Sequence, residues 1–147
     1  GSATTITLLQ AAAAGDQLEM VRELLKRDAS VDLASSLGDT ALMCAAGCGH
    51  PPIVLVLLQH SASPDLQNTE GITALMGAAF KGHEACVQAL LRAKANPDLQ
   101  DVHGVTALIR AADKGNEACV KALLRAKANT ELLNNDGHNV LQYAEAK

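Results

Sequence analysis

Aromatic bulk is nearly missing from this chain of 147 residues, which has one Phe, one Tyr and no Trp. A compact core of this size ordinarily draws volume from aromatic side chains. Ala and Leu must fill the interior instead, which suits thin layers packed closely on one another. Long apolar runs are missing too. Ile53 to Leu58 is one of the longest, far short of the roughly 20 residues that span a bilayer as a helix, so no membrane partner is expected. No basic run is present, and phosphate backbones are held by clustered Lys and Arg, so no nucleic-acid partner is expected either. No secretory signal opens the chain, and Gly1-Ser2 reads as a cloning remnant.

What the chain does have is 48% hydrophobic and 19% charged residues, enough apolar content to fold. The net charge of −4 is uneven. Residues 1–70 carry three basic and eight acidic side chains, whereas residues 71–147 carry nine and eight. That asymmetry gives a mildly dipolar molecule able to orient a partner.

A repeat organises the sequence. Gly38, Gly71, Gly104 and Gly137 are each 33 residues apart. Thr40, Thr73 and Thr106 follow two residues later, and Leu42, Leu75, Leu108 and Leu141 four later. The pairs Ala45-Ala46, Ala78-Ala79 and Ala111-Ala112 come next, then Leu57-Leu58, Leu90-Leu91 and Leu123-Leu124. Ahead of Gly38 lies a looser copy containing Ala11-Ala12, Val21 and Leu24-Leu25. Its Gly15 is one residue out of step with Val21, judged by Gly49 and Val54, which predicts a one-residue insertion among Asp16 to Met20. Terminal repeats are often atypical because one face meets water.

Each unit reads as two helices. The threonines are N-cap candidates, since a Thr oxygen accepts an orphan amide at a helix start. A short Ala-rich helix follows, from about Ala41 to Ala46 in one copy, and Gly49, Gly82 and Gly115 break it. A second helix places Val54, Leu57 and Leu58, or Val87, Leu90 and Leu91, on one stripe. Pro51-Pro52 falls at a helix start, where a missing N–H is harmless. Polar segments such as Pro64 to Glu70 and Pro97 to His103 connect the units as loops or hairpins.

The segments GDTALMCAAGCGHPPIVLVLL, GITALMGAAFKGHEACVQALL and GVTALIRAADKGNEACVKALL resemble the ankyrin repeat over nearly the whole chain. The resemblance implies an all-α solenoid of stacked helix-turn-helix units, in a single domain 1–147. The units fall at about 5–37, 38–70, 71–103 and 104–136, with a partial cap at 137–147. Two departures stand out. The family's Thr-Pro-Leu-His tetrapeptide is here Thr40-Ala41-Leu42-Met43 and its copies, so the loop-tying His is missing. The family's Gly after the second helix is replaced by Asp28, Ser61, Lys94 and Lys127. If those positions need a positive φ, each costs on the order of 1 kcal/mol. The last unit holds Glu145 where a buried Ala would stand, and a buried unpaired Glu is costly. That face should therefore meet water, either as an end cap or where a longer array is cut.

Few residues suggest chemistry. Cys44 and Cys48 lie four apart with His50 nearby, but zinc takes about four ligands and three are local; a disulfide within a regular helix is geometrically poor. Cys86 and Cys119 occupy the place of Ile53 and read as core residues. His50 and His83 read as structural, and reduced thiols point to an intracellular setting. No local pattern places a nucleophile beside a base, and no phosphate-binding glycine loop occurs. An enzyme, a cofactor and a metal are therefore not expected.

The informative positions vary within the fixed frame. In ankyrin arrays the loop tips and the exposed side of the first helix line a concave groove. Carried onto this chain, the resemblance implies a partner-binding set of Leu37, Asp39, Cys44, Cys48, Glu70, Ile72, Phe80, Lys81, His103, Val105, Arg110, Asp113, Lys114 and Tyr143. Phe80 is the sharpest, because its counterparts are Gly47 and Asp113. It serves either as an exposed anchor, as interface hot spots favour large side chains, or as a ring folded back on a neighbouring helix. Leu37, Ile72 and Val105 form either an apolar strip or packing between loops. Arg110 and Tyr143 are the next anchors. The expected function is recognition of a protein or peptide by a monomer; the alternative is a structural spacer within a larger protein.

Overall fold

Threonine starts every inward helix but the last. In the computed structural model, which describes residues 6–145, Thr40, Thr73 and Thr106 accept the backbone N–H groups of Met43, Met76 and Ile109 at 3.2–3.3 Å. They cap α3 (Ala41–Cys48), α5 (Ala74–Lys81) and α7 (Ala107–Asp113). Thr7 does the same for α1 (Leu8–Ala14), with Gln10 returning a bond to the Thr7 N–H. Each first helix turns back into a second: α2 (Leu18–Lys26), α4 (Pro51–Gln59), α6 (Glu84–Arg92) and α8 (Glu117–Arg125). The α9 helix (Val140–Glu145) ends the series. Among the described residues there is no strand, and the architecture is a stacked helix-turn-helix solenoid.

The first unit corrects one expectation. Its left-handed residue after α1 is Asp16 at φ 57°, while Gly15 has φ −85°. Asp16 lies five residues before Val21, as Gly49 does before Val54, so nothing is inserted. The buried alanine pair is Ala12-Ala13, and Ala11 is exposed. Thr7, Leu9, Ala12-Ala13 and Asp16 all keep the register of 33. Asp tolerates the left-handed region better than most residues because its short polar side chain bonds locally.

Layers stack through small side chains. Ala13, Ala45, Ala46, Ala78, Ala79 and Ala111 are fully buried, in a row where α1 packs on α3, α3 on α5, α5 on α7 and α7 on α9. The second helices form the outer row and pack less closely, so the stack bends toward the first-helix side. Ile53, Cys86 and Cys119 are buried at equivalent places on the outer helices α4, α6 and α8, as their spacing predicts. The α9 helix buries none of its residues and leaves Glu145 exposed, as the sequence implies.

The second helices end with left-handed residues that are not glycine: Asp28, Ser61, Lys94 and Lys127 at φ 63–66°. Each lies inside a pair of C-terminal bonds. After α6, the Lys94 N–H reaches the Leu91 carbonyl and the Ala95 N–H reaches that of Leu90, both at 3.0 Å. Ala62, Ala95 and Ala128, one residue further on, are buried, so the turn cannot relax without losing packing. The strain is therefore retained in every unit.

Replacing Lys94 and Lys127 with Gly should relieve it. After the entropic cost of glycine is subtracted, each substitution is expected to add about 0.5 kcal/mol, so about 1 kcal/mol for the pair. For a chain of this size that is roughly 3 °C in melting midpoint. Calorimetry of the K94G/K127G variant checks this; an unchanged or lower midpoint would show that the left-handed turns carry no strain.

Candidate functional site

The first helices present one exposed face along the bent side of the stack, and loop tips border it. Equivalent positions there hold Cys44, Gly77, Arg110 and Tyr143, or, one turn on, Gly47, Phe80 and Asp113. The structure gathers several of these into one cavity of about 320 Å³. Its apolar walls are Ile72, Met76 and Phe80; Gly47 and Gly77 open it; Glu70, Lys81 and Arg110 complete the rim. Met76 is buried, whereas Ile72 and Phe80 are part-buried.

Phe80 is part-buried and lines the cavity, so its ring is neither fully exposed nor folded away. It leans on its neighbours yet keeps an accessible face on the cavity. Three cations surround the ring: Lys114 Nζ at 4.8 Å from its centroid, the Arg110 guanidinium at 5.7 Å and Lys81 Nζ at 6.0 Å. Cations gather at the face of an aromatic ring because its quadrupole is negative there. Lys81 and Lys114 are exposed.

Arg110 is held from the other side. Its Nη2 donates to Asp101 Oδ2, and the Asp101 side chain is only 1% exposed. Asp101 Oδ1 accepts the backbone N–H groups of His103 at 2.8 Å and Val105 at 3.0 Å. Asn68 and Asn134, one period before and after, accept the equivalent pairs of N–H groups with their own Oδ1. A carbonyl oxygen suffices for that task. The extra charge of Asp101 fixes the Arg110 guanidinium between the Phe80 cavity and a second one of about 260 Å³, lined by His103, Val105, Asn134, Asn135, Asp136 and Tyr143 as well as Arg110.

The remaining candidates separate. Leu37, Asp39 and Cys44 line a third cavity of about 340 Å³ with Ile6. Leu37 is half exposed, and Asp39 Oδ1 accepts from Asn68 Nδ2 at 3.0 Å. Val105 fits the loop-packing alternative: at 8% exposure it presents little surface, although it lines the second cavity. The apolar strip therefore does not run the length of the loops. Cys48, Asp113 and Lys114 line none of these three cavities, although Lys114 reaches the Phe80 ring. Glu70 and His103 are exposed, and their carbonyls accept Val102 and Asn135 N–H groups from the next loop.

Sequence reasoning missed the polar groups that tie loops together where the expected His is absent. Asp32, Asp65 and Asp98 accept the N–H groups of Ser63, Asn96 and Asn129 in the following unit. Gln67 and Gln100 each bridge two carbonyls, one of them in the next loop. All recur at intervals of 33 residues, and that recurrence was the signal available. Asp101 was missed because Asn and Asp alternate at its register.

The cysteines do not form a reactive centre. Burial, aided by the Asp39 carboxylate and Cys48, pushes the Cys44 thiol up to about 11, and burial pushes Cys86 to about 11. Thiolate is the nucleophile, so both are poor ones at neutral pH. His50 turns away from the pair: its Nε2 lies 3.1 Å from the Ala14 carbonyl and its Nδ1 3.5 Å from Asp16. Among the described residues no group of three or more His, Cys, Asp and Glu is placed to hold a metal, and no helix is long and apolar enough to cross a membrane.

Comparison with known families gives two matches. The family model described as ankyrin repeats (3 copies) matches residues 2–68 and 75–147, and the one described as ankyrin repeats (many copies) matches residues 49–91. No curated protein matches the chain significantly.

Two expectations follow from this geometry. Arg110→Ala leaves a buried carboxylate without its cation and should cost about 2 kcal/mol. Adding Asp101→Asn should restore most of that, since Asn does the same work at residues 68 and 134; denaturant melts of the single and double variants decide it. Second, the exposed Cys48 should be the one thiol per folded chain that reacts rapidly with a disulfide reagent at neutral pH. Cys48→Ser should abolish that phase, and two equally fast thiols in the parent would contradict the placement of Cys44.

Proposed function

The chain belongs to the ankyrin-repeat family, and from that premise we propose that it binds a partner protein or peptide through its concave groove and loop tips, with Phe80 as the central anchor. Ankyrin repeats are generally protein–protein interaction modules without catalysis of their own, and we read this chain as one of them, a non-enzymatic binder. One observation carries the choice of surface. An aromatic side chain borders an apolar cavity on the first-helix side, at a position where the repeat itself accepts Gly47 or Asp113. Packing does not require that bulk, and large aromatic side chains are enriched among interface anchors.

The rest of the groove supports orientation. Arg110 is held rigidly by Asp101, so little ordering cost remains for it on binding. Lys81 and Lys114 stand at the helix ends with Glu70 at the loop tip. The spacer alternative calls for a concave side without a contiguous apolar patch; Ile72 and Phe80, part-exposed on one cavity over the buried Met76, weigh against it. Four cysteines that are all free accord with a reducing, intracellular setting, which we include in the reading.

Phe80→Asp tests it cleanly, because the next unit already carries Asp113 at this register. Loss of a central aromatic anchor is expected to weaken partner binding by about 2 kcal/mol or more, roughly 30-fold, with unchanged helical content. Capture from cell extract should use the parent, F80D and an outer-face variant, Arg92→Glu/Arg125→Glu. Partners kept by the outer-face variant and lost by F80D support the groove. Partners kept by F80D and lost by the outer-face variant would move the site to the depression between α6 and α8.

A further inference from the structure

We propose that the cavity beside Phe80 selects a partner segment bearing a large apolar side chain with a carboxylate one to three residues away; this specificity rests on the groove reading above. The first ground is the pair of glycines that opens the cavity. Gly47 lies inside α3 and Gly77 inside α5, and glycine is the poorest helix former after proline. The usual reasons for glycine do not apply. Neither has a positive φ. A Cβ at Gly47 would meet nothing within 4 Å, and one at Gly77 only the Gly47 Cα at 3.8 Å, an ordinary contact. The same registers accept Arg110 one unit after Gly77 and Asp113 two units after Gly47. What the two glycines do is keep about 320 Å³ clear against Ile72, Met76 and Phe80, and an apolar side chain from outside fits that space.

The second ground is charge. Lys81 and Lys114 flank the Phe80 ring at 6.0 and 4.8 Å, at the end of the cavity set by the C-termini of α5 and α7. Glu70 stands at the opposite, loop-tip end. An eight-residue helix such as α5 is about 12 Å long, so the two ends are electrostatically distinct. Arg110 contributes a fixed plane to the wall, and its charge is taken up by Asp101. A segment that seats an apolar side chain between Gly77 and Phe80 therefore meets Lys81 and Lys114 at the end where α7 also places Asp113, a net positive end. A carboxylate there is favoured, and a Lys or Arg there is repelled.

The test selects random 12-residue displayed peptides on the intact protein and then measures one enriched peptide, made synthetically, against variants. The selection is expected to enrich Phe, Trp, Leu or Met followed or preceded within three residues by Asp or Glu. Gly77→Leu fills the cavity and should weaken binding at least 30-fold while melting at or above the parent temperature. Gly77→Ala should stay within about threefold. Lys81→Glu/Lys114→Glu should lose about tenfold, and a peptide with its carboxylate changed to Lys should recover affinity for that variant only. Enriched peptides that are basic, or that bind G77L as well as the parent yet are lost by F80D, would overturn the cavity chemistry and leave the groove standing. Peptides that bind F80D as well as the parent would overturn both, and a selection that enriches nothing above background counts against the cavity as a peptide site.

Discussion

Close approach of one first helix to the next is the constraint on which the structure depends. It requires side chains no larger than alanine where the helices meet, and Ala45, Ala46, Ala78, Ala79 and Ala111 supply them with no exposure at all. Near-absence of aromatic residues is the compositional trace of that requirement. A thin layer buries little area by itself, so each unit is stable only against its neighbours. Close layers also bring the loops within bonding distance. Thr69 N–H then reaches the Leu37 carbonyl, Val102 that of Glu70 and Asn135 that of His103. Buried backbone groups need such partners, and here the inter-unit spacing provides them without the tying histidine of the family pattern.

The frame and the site are coupled at Asp101. Residues 35, 68, 101 and 134 share one register and hold Ser, Asn, Asp and Asn. All but the first accept two loop amides through one oxygen. Asn satisfies that geometry at no electrostatic cost. Asp brings a charge into a buried place, which is tolerable only with a cation beside it. Arg110 is that cation, and in being held it becomes part of the wall that separates two cavities. A substitution within the scaffold has thereby fixed the orientation of a groove residue.

How much of this was legible in the sequence follows from which effects are local. Threonine caps, helix-breaking glycines and buried cysteines repeat at fixed intervals and depend on neighbours along the chain, so their pattern predicts them. The left-handed residues at 28, 61, 94 and 127 were foreseen for the same reason. Asp16 was not, because glycine at residue 15 is the better left-handed former in isolation; the helix length set by stacking overrides that preference. The choice between strip and loop packing at Val105 stayed open because the sequence shows a residue at a loop tip but not how deeply it is buried. The cavity that Gly47 and Gly77 open was not legible, since it involves residues about 30 positions apart.

Position in the stack is what favours Phe80 over Tyr143 as the anchor of the proposed groove. The α5 helix has a packed neighbour on both sides, α3 and α7. Opening it would expose alanines in two interfaces. By contrast α9 buries no residue and packs on α7 alone among the first helices. A segment that buries little apolar surface opens at a small free-energy cost, so α9 is the layer most easily displaced. An anchor on α9 would have to order its own support during binding, a cost of roughly 0.5–1.5 kcal/mol for each rotamer-rich side chain immobilised. One on α5 stands on a support already ordered, with Arg110 locked in place beside it. The helix-interior glycines, one in α3 and one in α5, at about 1 kcal/mol each are a stability sacrifice that such doubly supported layers can carry without losing register.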